Sequence, residues 1–408
     1  MNVQTALAGV AAMFLATSLF AHTVALRLAL LLVGAALACV TAWRNRADTQ
    51  LLPPILLPFL LWAGWAWLSV VWSIEPERTL KELRNEVVYT GAALWMCFIA
   101  GQAANAARIV IPIVGGAAAA VMAIGLRDFS ISWERYVYGL HGGPGDHSSA
   151  LLTLAPCIAM TLWYGWRAGW RLTIQLPAWI LVLLVLASAY CTLNRTVWIG
   201  LGVEILLIGV LMRLRQRTST RRPWSARARL ASGLVALAIV GGVAGTLGEI
   251  QARREAAGGT SLAGDHRLLL WPEIFELIHD RPLTGYGFGR GLLRHPLRSE
   301  FGTVDAQLWH AHNTFLEQLV QLGVPGLALF ALLLAAILRE GWRMTLDASD
   351  FRAACGSALI AVVTGMLVRN MTDTLFVRGN SLLFWGATGT LLGLAIVRRS
   401  RPARGLAA

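Results

Sequence analysis

The chain has 408 residues, 56% of them hydrophobic and only 14% charged, with a mean hydropathy of +0.60. This excludes an ordinary soluble domain and a disordered polyelectrolyte, and the long uncharged apolar runs make a polytopic membrane protein the expected class. The formal charge of +13 comes from 35 Lys and Arg against 22 Asp and Glu; these basic residues fall between apolar runs, which argues for topology determinants and against a nucleic-acid surface.

A spanning helix needs about 20 mostly apolar residues. In chain order that criterion selects 4–21, 24–43, 53–73, 86–103, 107–126, 148–166, 173–191, 196–213, 230–248, 314–338, 353–371 and 378–397. The expected fold is all-α, with about twelve transmembrane helices and one large loop. The first apolar run, Ala6 to Phe20, has the length of a signal peptide, but no Lys or Arg precedes it and a second run follows at once, so it reads as a membrane helix. Cys39, Cys97, Cys157, Cys191 and Cys355 lie in or beside apolar runs, with no CxxC pair and no metal-ligand spacing, and read as small apolar fillers.

Arginine sets the orientation. Arg213, Arg215, Arg217, Arg221, Arg222, Arg227 and Arg229 crowd the stretch after the eighth span without an acid, which marks a cytoplasmic loop. Arg44, Arg46, Arg167, Arg171, Arg339, Arg343 and the tail arginines fall on the same side when spans are counted outward, so both termini are expected in the cytoplasm. The other side receives 249–313, where seven Arg meet eight Asp or Glu. Within it Leu268, Trp271, Ile274, Phe275 and Ile278 keep helical spacing, which predicts a surface helix from Asp265 to Asp280, closed by Arg281-Pro282 and a glycine-rich turn. The expected division is therefore 1–248 with helices 1–9, 249–313 as a loop domain with surface helices, and 314–408 with helices 10–12 and a cytoplasmic tail. No internal repeat is visible.

Three positions on that outer side carry chemistry. Arg195 sits at the outer end of a span with little polar company; a guanidinium there either snorkels to the headgroups or meets an anionic partner. Arg267 opens the surface helix, where it either pairs locally with Asp265 or Glu273 or offers its planar fork to a phosphate. The stretch His310-Ala-His-Asn precedes a long apolar run, so two imidazoles stand at the mouth of a membrane helix. Histidine takes and returns a proton near neutrality. Two residues apart is about 200° on a helix, so His310 and His312 would face different ways if both were helical. Asn313 has the chemistry of an N-cap, which would place His312 beside the positive end of the helix dipole, a good place for a phosphate, and this favours His312 over His310 as the functional residue. His141, His147 and Asp146 form a weaker metal candidate, equally explained by turn chemistry, and the motifs HExxH and GxxxxGK[ST] are absent. The expected site is metal-independent.

Taken together these stretches resemble the O-antigen ligase/polymerase superfamily of GT-C type membrane glycosyltransferases. The matching elements are Trp72-Ser73 with Pro76, Glu77 and Arg78; Asn194-Arg195-Thr196-Val197-Trp198; the run from Arg267 through Trp271, Pro282, Leu283, Gly285 and Gly287; and His312-Asn313 with Leu316, Gly323 and Gly326. The specific motifs span about 190–330. The resemblance implies an enzyme of the bacterial inner membrane with a periplasmic active site, in which 249–313 is the periplasmic loop domain. It implies an undecaprenyl-diphosphate-linked O-antigen as donor and lipid A–core as acceptor, with membrane lipid around the protein and no nucleic acid or cofactor. By motif, Arg195 and Arg267 would hold the diphosphate and His312 would act as base, with His310 and Asn313 in the substrate site. The alternatives are an O-antigen polymerase or a protein O-oligosaccharyltransferase of the same superfamily and, in another class, a polyprenyl-glycan flippase or permease.

Overall fold

The computed structural model describes residues 2–47, 49–217, 226–256, 267–293, 310–374 and 376–397. No strand occurs among them, and the molecule is an all-α polytopic membrane protein. Nine helices among the described residues are long and apolar enough to cross a membrane. They are α2 (Val24–Arg44), α6 (Ala106–Ile131), α8 (Gly143–Arg167), α9 (Leu172–Cys191), α10 (Arg195–Arg217), α11 (Ala226–Ala256), α13 (Thr314–Thr345), α14 (Asp350–Asn370) and α15 (Arg378–Val397). The other three expected spans are shorter helices. α1 covers Val3–Ser18, α3 covers Leu56–Leu68, and α5 covers Tyr89–Gly101. Pro53 and Pro54 hold back the start of α3, since each steers the residue before it out of the helical region. α5 is the continuation of an amphipathic helix α4 (Pro76–Leu83) through one π-helical turn, Arg84–Val88. The short α7 (Trp133–Val137) and the surface helix α12 (Arg267–Asp280) complete the set, and α12 falls on the stretch the apolar spacing marks.

Burial separates a protein core from a lipid-facing shell. The apolar window of α15 is 83% buried and that of α14 is 72%, against 22% for α9 and 28% for α2. A helix that is apolar all round and largely uncovered faces hydrocarbon, and Leu32, Leu183, Leu206 and Leu237 are such exposed side chains. At the centre α15 lies against α5 at backbone contact. A Cβ on Gly389 would stand 2.2 Å from the Leu94 carbonyl oxygen, and one on Gly393 would stand 2.3 Å from that of Phe98. This small-xxx-small spacing lets two membrane helices touch by their backbones.

One arginine assigned to the basic loop has another role. α10 runs on to Arg217, and Arg215 is buried inside the bundle end. Its Nη1 donates to Asp350 Oδ1 at 2.6 Å, its Nε to the Thr345 carbonyl at 3.2 Å and its Nη2 to the Asp347 carbonyl at 2.9 Å. It satisfies carbonyls that the end of α13 leaves without helical partners. Residues 218–225 of that loop lie outside the described residues, as does the whole tail after Val397.

α13 is broken, where the sequence suggests one continuous span. Gly323 has φ 68° and ψ −173°, so the helix stops for one residue and resumes. The freed carbonyls are taken up by neighbours: Tyr286 N donates to Val320 O, Gly287 N to Gln321 O and Trp65 Nε1 to Leu322 O. Val324 N reaches back to Pro282 O at 2.8 Å. The turn after α12 thus fills the break. A second small core of Leu270, Ile274, Tyr286, Leu293, Ala311 and Val320 seals α12 over the first turns of α13. This fixes the segment before α13 above the bundle end.

Candidate functional site

The site is built where α13 begins and α14 ends. Asn313 is the N-cap of α13: its Oδ1 accepts from the backbone of Phe315 at 2.9 Å and Leu316 at 3.2 Å. Its Nδ2 donates to the Met371 carbonyl at 3.1 Å, and Thr314 Oγ1 donates to Asn370 Oδ1 at 2.8 Å. The start of one helix is therefore stitched to the end of the other.

His312 stands immediately before this cap with φ 49°, in the left-handed region that side-chain-bearing residues seldom occupy. Because 310–313 is not helical, the separation of the two imidazoles onto different faces does not occur. The left-handed residue folds the chain back, and the His310 and His312 rings lie 3.7 Å apart, centroid to centroid, tilted by 36°. The loop is braced from within the helix: Glu317 Oε2 accepts from Ala311 N at 2.7 Å, and Glu317 Oε1 accepts from Gln321 Nε2 at 2.8 Å. Gln321 Oε1 in turn accepts from Gly289 N at 3.0 Å. Trp271 Nε1 of α12 donates to the Ala311 carbonyl from above.

Two groups the sequence reading did not single out face the histidines. His312 Nδ1 lies 3.7 Å from Asp373 Oδ1, in the loop between α14 and α15. Asp373 Oδ2 accepts from Arg369 Nη2 at 3.2 Å and Oδ1 from Thr374 N at 2.8 Å, while Arg369 Nε donates to Ser148 Oγ of α8 at 3.2 Å. Burial alone would raise the Asp373 carboxyl; the His312 side chain and the Arg369 charge outweigh it and hold it well below the usual carboxylate range. On the other flank the Arg290 guanidinium meets His310 Nε2. Burial lowers the pKa of Arg290, partly offset by Glu317 and Asp373, but a guanidinium remains a cation. Arg290 belongs to the glycine-rich turn after α12, which carried a signal; Asp373 and Arg369 lie about 60 residues beyond the histidines, and no local spacing announces them.

Behind these groups lies a buried polar layer. Asn380 Nδ2 donates to Asp146 Oδ1 at 2.8 Å, and Glu86 Oε1 accepts from Arg378 N at 2.7 Å. Asp146 is thereby turned to Asn380, whereas His147 Nδ1 pairs with the Tyr136 hydroxyl at 3.0 Å and His141 stacks on the Tyr136 ring. The trio His141, His147 and Asp146 does not converge. Among the described residues His310, His312 and Asp373 do, with one ligand atom from each within 4.8 Å of the others.

Arg195 is the first residue of α10 and is exposed. α10 packs along α14, and Arg195 opens α10 as Asn370 closes α14. Arg267 is the first residue of α12; its side chain lies outside the described set.

The arrangement offers an oriented imidazole at the mouth of a membrane bundle, backed by an ionised carboxylate, with arginines around it. Comparison with known proteins adds a family. Residues 179–331 match the family model described as O-Antigen ligase, in keeping with the resemblance carried by the motifs. That segment holds Arg195, Arg267, Arg290 and the histidine loop, but not Arg369 or Asp373. The chain is 30% identical over 118 residues to a Rickettsia felis protein named "Putative polysaccharide ligase", the match covering 28% of each chain. Proteins of the same description from Rickettsia prowazekii and Rickettsia typhi are 32% and 31% identical over 131 residues, 28% of this chain and 29% of theirs. The matched region thus spans less than a third of these relatives.

Proposed function

We propose that this protein is an O-antigen ligase: a glycosyltransferase that moves O-antigen polysaccharide from undecaprenyl diphosphate to a sugar hydroxyl of lipid A–core, at the periplasmic face of the bacterial inner membrane. The observation that carries the reading is the pairing of His312 with Asp373 at the start of α13, within reach of the interface where a lipid-linked sugar would arrive. The family match over 179–331 supports the reaction class.

The chemistry follows from the residues. Asp373, kept ionised by Arg369, favours the tautomer with a proton on His312 Nδ1 and leaves the Nε2 lone pair for the acceptor hydroxyl. As that oxygen attacks the anomeric carbon, Nε2 takes its proton, the bond to the diphosphate oxygen breaks, and the anomeric centre inverts. The leaving group is a lipid diphosphate, already stable as an anion, and Arg195 and Arg267 neutralise its growing charge with planar forks. The energetic need is met without ATP or a metal ion, and a placed base contributes about 10²–10⁴-fold. Asn313 serves indirectly, by fixing the loop to the end of α14. His310 packs against the base.

The same chemistry serves an O-antigen polymerase or a protein O-oligosaccharyltransferase, which differ in acceptor. Purified protein supplied with lipid-diphosphate glycan and lipid A–core, in chelator and without ATP, should give inverted glycolipid product. Transfer only to a growing glycan, or only to protein, would assign the relatives' activity instead.

A further inference from the structure

The geometry points to a zinc site formed by His310, His312 and Asp373, whose occupation silences the proposed base. His312 Nδ1 and Asp373 Oδ1 stand 3.7 Å apart, long for a hydrogen bond but close to the spacing of two ligands on one ion. With metal–ligand bonds of about 2.0–2.1 Å, tetrahedral ligand atoms are about 3.3 Å apart. A nitrogen of His310 completes a set whose three donor atoms lie within 4.8 Å of one another, so side-chain shifts of about 1 Å close it around an ion.

The surroundings fit such a site. The close, tilted rings hold both imidazoles on one side of the loop. Asp373 is oriented through its other oxygen by Arg369, in the way a metal-ligating carboxylate is held from behind. Two imidazoles and one carboxylate suit a borderline ion such as zinc, and suit magnesium or calcium poorly. Two resident groups compete for His310: the Arg290 guanidinium sits on its Nε2 and opposes a second cation there, and the His312 backbone N–H donates to its Nδ1 at 3.1 Å, so an ion must displace one of them.

The consequence for catalysis rests on the ligase reading. A neutral imidazole has one proton. When zinc takes the Nδ1 lone pair of His312, that proton moves to Nε2, and the nitrogen facing the acceptor hydroxyl no longer has a lone pair to receive a proton. Zinc then inhibits transfer without touching the donor diphosphate.

Zinc binding is read on the purified full-length protein in detergent, without substrate, by calorimetry and by metal content after gel filtration. Wild type should hold one zinc per chain, undisturbed by a large excess of Mg²⁺. His310→Ala should weaken binding at least about tenfold. Arg290→Gln should tighten it, a change that misfolding would not produce. In the transfer assay zinc should inhibit with a midpoint matching its binding midpoint, and EDTA should restore the rate. No saturable binding, equal affinity in His310→Ala, or weaker affinity in Arg290→Gln would overturn the site. Full occupancy with undiminished transfer would overturn the silencing. Because binding is measured without substrate, failure of the ligase reading leaves that result standing.

Discussion

Arg369 Nη2 lies 3.2 Å from Asp373 Oδ2, one turn further along the chain, while Asp373 Oδ1 faces His312 Nδ1 at 3.7 Å. The carboxylate is thus held at one oxygen by a cation and presents the other to the imidazole. Asp373→Asn keeps the shape and removes the charge that selects the tautomer. It should lower kcat at least about tenfold, up to the about 10²–10⁴-fold that a placed base contributes, with little change in donor KM. Steady-state kinetics at varied donor concentration separate this from loss of binding. An unchanged kcat would mean that Asp373 serves the helix junction alone.

Arg195 and Arg267 make a different prediction. Lys at either position retains charge but not the planar fork, so activity should be partial, and Ala should be worse than Lys. Binding of a lipid-diphosphate analogue, measured directly, should weaken in both Ala variants. Folded Ala variants that bind the analogue as tightly as wild type would refute the diphosphate role.

Gly323 tests the architecture beneath the site. A Cβ there would stand 2.4 Å from the Leu283 carbonyl, and the residue's φ of 68° with ψ of −173° is open essentially to glycine alone. Gly323→Ala should cost about 1–3 kcal/mol or more and lower the thermal unfolding midpoint in detergent. It should also loosen the Tyr286–Val320 and Gly287–Gln321 contacts that seat the loop. A midpoint equal to wild type would show that the break is dispensable.

The orientation is checked from outside the cell. A single cysteine placed in the stretch 218–225 should resist membrane-impermeant thiol reagent in intact spheroplasts and react after permeabilisation, if that arginine-rich loop is cytoplasmic. Efficient labelling from outside would invert the assignment.

These tests also mark what sequence can and cannot convey. The apolar runs named each of the nine helices among the described residues that are long and apolar enough to cross a membrane, and Asn313 declared itself as a cap, because both are local properties of the chain. Arg215 looked like one more basic loop residue; only the approach of α10 to the α13–α14 junction turns it inward. His310 and His312 meet because His312 adopts a left-handed φ, which a histidine does not advertise. Asp373 depends on α14 bringing a distant loop to the start of α13, a tertiary relation without local periodicity.

The most direct test of the central claim is the pH profile of transfer. Asp373 is held well below the usual carboxylate range, so it stays ionised through the pH range in which a histidine titrates. Asp373 itself therefore contributes no acid limb there, and the His312 variant decides whether the limb is that imidazole's. The base must be neutral to accept a proton, so the rate should fall as the pH drops far enough to protonate His312. His312→Ala should insert and bind donor normally, lose about 10²–10⁴-fold in transfer, and leave a residual rate without that acid limb. Near-normal transfer in His312→Ala, or an acid limb that survives in it, would contradict the account.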